Sequence, residues 1–215
     1  MAHKTLAERL QTYRTLIYNS RDEEIAALLE DIGVDGPYID RGDALYKETM
    51  NLVDAQKKEY QEQSLAFDTF NEERHEVQHT HDRTLKLIST MSRNDENLQD
   101  RIQFPNGKSI AIEKWFEITI AFYSSLLRET EFLGTLAQFK VTPERLESER
   151  EGVNNLKLLR DDAMKEKGEA QEATRTRNEK LDALEDYCIE LRVLAEIAME
   201  EKPQLMEKLG ILVRS

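Results

Sequence analysis

Residues 32–37, Ile32-Gly33-Val34-Asp35-Gly36-Pro37, end one helix and begin another. Gly33 is a helix stop, and Pro37 suits the first turn of the next helix, where its missing N–H costs nothing. Before this break, Leu6, Leu10, Tyr13, Leu16, Ile17, Ile25, Leu28 and Leu29 fall on one helical stripe, which predicts a first helix over Thr5 to Asp31. After it, no proline occurs from Tyr38 to Ser92 and the only glycine is Gly42, so a very long second helix is expected. The plan then returns. A third helix is expected from about Ile112 to Gln138, a second break at Phe139-Lys140-Val141-Thr142-Pro143 with Thr142 as N-cap, and a second long helix from Pro143 to about Glu200.

The second break lies 107 residues after the first, Val141 on Val34, and the same offset without a gap pairs Leu52 with Leu159, Lys58 with Lys165, Glu62 with Glu169 and Leu98 with Leu205. The apolar seams coincide as well. One runs Tyr46, Thr49, Val53, Gln56, Tyr60, Gln63, Phe67, Phe70, Arg74, Val77, His81, Thr84, Ile88, Met91; the other runs Val153, Leu156, Arg160, Ala163, Lys167, Ala170, Thr174, Arg177, Leu181, Leu184, Cys188, Leu191, Ala195, Ala198. The reading is an internal duplication. The expected fold is all-α: an antiparallel bundle of four main helices from two short-helix and long-helix hairpins. Residues 1–100 form the first hairpin unit, 113–215 the second, and 101–112 the connection, within one structural domain.

Both long helices are polar in the middle, most clearly over Lys165 to Lys180, and Gly168 is the expected kink. The third helix is the most apolar and should be the best buried. Within the connection, Arg101-Ile102-Gln103-Phe104, Pro105-Asn106-Gly107-Lys108 and Ser109-Ile110-Ala111-Ile112 read as a short β-hairpin about an Asn-Gly turn, with the chain end as a third strand.

Composition narrows the function. A net charge of −13 argues against a general nucleic-acid or anionic-membrane binder, since those partners are held by excess Lys and Arg. The first residues lack the apolar core of a secretion signal, and the longest uncharged apolar stretch, Ile118 to Leu127, is too short to span a bilayer. One cysteine, Cys188, fits a reducing cytoplasm and lies on the seam, where packing is its ordinary role.

The string His75-Glu76-Val77-Gln78-His79 has the spacing of a zinc-protease helix: two imidazoles one turn apart grip the metal and the Glu between them activates water. Glu96 or His81 would complete the ligand set. Charged flanks, Glu72-Glu73-Arg74 before and Asp82-Arg83 after, read instead as a solvated face with His81 packed on the seam, and no upstream strands provide a substrate edge. The offset positions Asp182, Ala183 and Asp186 do not repeat the motif. A di-iron centre would need a second Glu-x-x-His on another helix, and no histidine follows His81. The loop from Asp31 starts like a calcium loop but has Gly33 and Gly42 where ligands belong.

The tail Pro203-Gln204-Leu205 to Leu209-Gly210-Ile211 resembles the ending of uncharacterised all-helical bacterial proteins, over the last 35 or so residues. The resemblance implies a final acidic amphipathic helix and no activity. The expected function is a non-enzymatic cytoplasmic scaffold or protein-interaction protein without a cofactor, its protein partner unidentified, able to self-associate through exposed seam. The alternatives are a metal-dependent hydrolase at His75-Glu76-x-x-His79 and a membrane-active helical protein.

Overall fold

The computed structural model describes residues 5–105 and 111–212, and every regular element among them is a helix. In chain order these are α1 (Leu6–Asn19), α2 (Glu23–Asp31), α3 (Gly36–Met91), α4 (Glu96–Arg101), α5 (Ile112–Leu126), α6 (Thr130–Leu136) with a 3-10 turn at Ala137–Phe139, α7 (Pro143–Ala198) and α8 (Leu205–Lys208). The two long helices each have 56 residues, and their first residues, Gly36 and Pro143, are separated by the offset read from the sequence.

The approach to each long helix is built alike. Gly33 and Lys140 both adopt left-handed backbone, with φ of 88° and 59°. The next residue, Val34 or Val141, is buried and returns its N–H to the carbonyl of Leu29 or Leu136. This satisfies an orphan carbonyl at the helix end while an apolar side chain seals the turn. Asp35 then accepts the N–H of Tyr38 at 3.0 Å, and Thr142 that of Arg145 at 3.3 Å, as N-caps.

The chain forms two compact units. One comprises residues 1–60 with 169–215, the other residues 61–168. The first unit buries Leu10, Tyr13, Leu16 and Ile17 of α1 and Ile25 and Leu29 of α2 against Leu181, Leu184, Cys188 and Leu191 of α7. Here α3 and α7 run antiparallel: Gln56 bonds Thr174, Glu48 pairs with Lys180, and Tyr38 meets Tyr187. The second unit buries Phe116, Phe122, Tyr123 and Leu126 of α5 and Leu136 of α6 against Phe70 and Ile88 of α3 and Leu146, Val153 and Leu156 of α7. Its α3 and α7 segments are again antiparallel, with Thr84 bonded to Arg145 and Arg160 over the Phe70 ring. Neither unit is a single hairpin; each takes the opening of one and the far half of the other's long helix.

Three sequence expectations need correction. The single helix over Thr5 to Asp31 is two, broken at Ser20-Arg21-Asp22, and the helix over Ile112 to Gln138 breaks at Leu127-Arg128-Glu129. The turns bring both halves onto one core: Ile17 and Ile25 are both fully buried, worth about 1.5–3 kcal/mol each. No glycine or proline marks either corner; the Ser20 hydroxyl donates to the Leu16 carbonyl and the N–H of Arg21 returns to Tyr18. The β-hairpin is not seen in its described flanks, and its turn residues 106–110 lie outside the described residues, as do 213–215 of the proposed third strand. Arg101 closes α4, the Gln103 N–H donates to the Ser125 hydroxyl, and Ile112 opens α5, so that backbone donor is met by a helix side chain. α7 is one helix from Pro143 to Ala198, through Gly168.

Gly42, in the second turn of α3, is required by close approach. A Cβ there would lie 2.3 Å from the Tyr187 ring, which is buried, stacked on Tyr38 and donating its hydroxyl to the Tyr38 carbonyl at 3.0 Å. Around Gly168 a Cβ meets open space. Gly42→Ala should therefore destabilise by about 1–3 kcal/mol despite its better helix propensity, the clash winning. Gly168→Ala should stabilise by up to about 1 kcal/mol. Urea denaturation of the two variants checks both signs.

Candidate functional site

The histidine string keeps its helical spacing but not its extra ligands. His75, Glu76 and His79 are exposed on α3. His81, two residues past His79 and so about 200° around the helix, is buried on the opposite side. Glu96 is exposed in the first turn of α4. Among the described residues, none of these five belongs to a group of three ligand atoms within reach of one ion. The structure brings His75 and His79 together and leaves His81 and Glu96 apart from them.

His81 belongs to a buried polar network. Its ring lies edge-on to Trp115, Phe122 and Tyr123, and Nδ1 is 3.2 Å from the Tyr123 hydroxyl. That hydroxyl donates to Glu149 Oε2 at 3.0 Å, and Arg145 Nε donates to Glu149 Oε1 at 2.8 Å and Nη2 to the Thr84 hydroxyl at 3.3 Å. With the phenol proton committed to Glu149, His81 must carry its proton on Nδ1 and donate. Burial lowers the His81 pKa, opposed by the charges of Asp82 and Glu149. Burial, then Glu149, raises that of Tyr123, so the phenol stays protonated. Sequence placed His81 on the seam and Tyr123 in the apolar third helix; the role of Glu149, 68 positions from His81, is visible only in the fold.

Beside the network is a cleft of about 180 Å³ bounded by Glu76, Val77 and Thr80 of α3, Tyr123 of α5, and Ser148, Glu149 and Gly152 of α7. At the offset positions in the other unit, Tyr187 stands for Thr80 and Gly42 for Glu149, and the Tyr187 ring fills the space over Gly42. Cys188 stands for His81 and is buried; its thiol is pushed up to about 12 by burial and then by Glu185.

A second feature lies on the surface of α7. Ile189, Val193 and Ile197 are 57%, 50% and 58% exposed and follow one another at four-residue spacing. They lie off the seam of Leu184, Cys188, Leu191 and Ala195, all buried. Four-residue spacing on the polar side of the helix was the legible sign of this row, hidden in a segment read for its seam. At the offset positions α3 carries Asp82, Lys86 and Thr90, all exposed. No protein family, characterised protein or solved structure compared with this chain matches it.

Two outcomes follow from the buried groups. Folding favours neutral His81, while the unfolded ring takes up a proton near about pH 6.5. The unfolded state therefore binds more protons below that pH, and the stability contributed by the neutral ring is present above it and drains as pH falls. Between about pH 7.5 and 5.5 the urea midpoint of the wild type should fall more than that of His81→Phe, which has nothing to protonate there. Cys188 should resist iodoacetamide in the native protein and react fully in denaturant, read by mass spectrometry.

Proposed function

We propose that the chain is a non-enzymatic helical scaffold that arose by duplication of a short-helix and long-helix hairpin and presents one face of α7 to a partner protein. The observation that carries it is the row Ile189, Val193, Ile197. Three branched aliphatic side chains in line, each half exposed or more, contribute little to a core and add a cost in solubility that an occupant would remove. The polar residues Asp82, Lys86 and Thr90 at the offset positions of an equally long helix make the row a local departure rather than a rule of these helices. In favour of duplication are the equal long helices, the matching left-handed turns at Gly33 and Lys140, and the corners at 20–22 and 127–129. A cytoplasmic setting suits the one buried free thiol. Among the described residues no helix is long and apolar enough to cross a membrane.

The competing reading is a metal-dependent hydrolase, favoured by His75 and His79 on one exposed face with Glu76 between them. A photo-crosslinking residue at position 193 in cells should give a discrete heteromeric adduct, identified by mass spectrometry, and the same residue at position 86 should not. Equal adducts at both positions, or none at 193, overturn the docking reading. Stoichiometric zinc in untagged protein, lost on His79→Ala, would support the hydrolase instead.

A further inference from the structure

We infer that the occupant of the α7 face is a basic amphipathic helix of another protein; this rests on the docking reading above and adds the partner's chemistry. At 100° per residue, Ile189, Val193 and Ile197 span some 80° of the solvent side of α7. Asp182 and Asp186 bound the row toward the N-terminus, Glu200 follows it just past the end of α7, and Glu190 and Glu196 flank it on its two sides. Arg192 is the one cation between Ile189 and Ile197 in the sequence, and its guanidinium is already bonded to Glu196 at 3.0 Å. Asp182, Asp186 and Glu200 have no ion pair among the described residues. The face is thus an apolar ridge about two turns long inside a ring of carboxylates.

That ring discriminates among occupants. A second copy packed antiparallel about Val193 would set Asp186 against Glu200 and Glu190 against Glu196; packed parallel, each carboxylate would face its own duplicate. Both arrangements juxtapose like charges around the apolar contact. An anionic bilayer meets the same repulsion. A helix with aliphatic residues one turn apart and Lys or Arg on both sides buries the ridge and neutralises the ring together. The three residues form a single i±4 ridge, the kind that packs against a crossing helix at roughly 50°, so a short segment of two or three turns suffices.

The probe is a Leu/Lys amphipathic peptide of about 18 residues, with a Leu/Glu twin of identical leucine pattern, titrated into the full chain by fluorescence anisotropy at two salt concentrations. The Leu/Lys peptide should bind, and replacing Ile189, Val193 and Ile197 together by Ser, which leaves every charge in place, should weaken binding about tenfold or more. Serine at Asp82, Lys86 and Thr90 should not weaken it. Glu190→Gln with Glu196→Gln should weaken binding and flatten its salt dependence. Equal binding by wild type and the Ile189/Val193/Ile197 variant would mean diffuse attraction to an acidic surface and overturns the proposal. Failure of the Leu/Lys peptide, or tighter binding of the Leu/Glu twin, also overturns it, while a heteromeric adduct at position 193 would still uphold the broader docking reading. A dimer in light scattering that Val193→Asp dissolves would assign the face to a second copy and overturn both.

Discussion

A 56-residue helix with an apolar seam cannot be covered by the short helices that precede it. At 1.5 Å per residue α3 and α7 are each about 84 Å long, whereas α1 is about 21 Å and α5 about 22 Å. Each short pair covers only the opening half of its own long helix. The far half has to find its cover elsewhere, and in each compact unit it is supplied to the other hairpin's opening half. Hence Leu181, Leu184 and Leu191 of α7 lie in one core with Ile17 and Ile25, and Phe70 and Ile88 of α3 in one core with Phe122 and Leu136. The seam is satisfied only by crossing between hairpins.

Within that shared plan the two units diverge where their side chains differ. Position 81 is a histidine wired through Tyr123 to Glu149, and position 188 is a cysteine packed as an apolar side chain. Where one unit sets the Tyr187 ring over Gly42, the other has Thr80 and Glu149 and keeps a cleft. The polar network is linked end to end: the phenol donates to the carboxylate, the guanidinium pairs with it, and the imidazole donates to the phenol. Such a network specifies one packing arrangement, because any member left unpaired in the interior would carry its full desolvation cost.

The long helices, the break residues and the helical class were legible because they are local. Gly33 and Thr142 act within one turn of their own backbone, and the absence of proline over 55 residues from Tyr38 to Ser92 is a property of the chain alone. The corners at 20–22 and 127–129 were not legible, since a serine or an arginine there is compatible with a continuing helix and only the common core favours a bend. The helix α4, just before the expected strand, was missed for a related reason: Asp95 caps it by accepting the Leu98 N–H, while Leu98 is held by burial.

Periodicity determined that this chain is helical, where its long helices begin and end, and which side of each carries the seam, because those properties follow from backbone geometry repeated every 3.6 residues. It could not decide which seam covers which, that His81 on its seam joins Tyr123 and Glu149 in a polar network, or that the Tyr187 ring fills over Gly42 the space that stays a cleft between Thr80 and Glu149. Those depend on contacts between residues far apart in the chain, where burial, sterics and hydrogen bonding are settled jointly by helices that the local pattern describes one at a time.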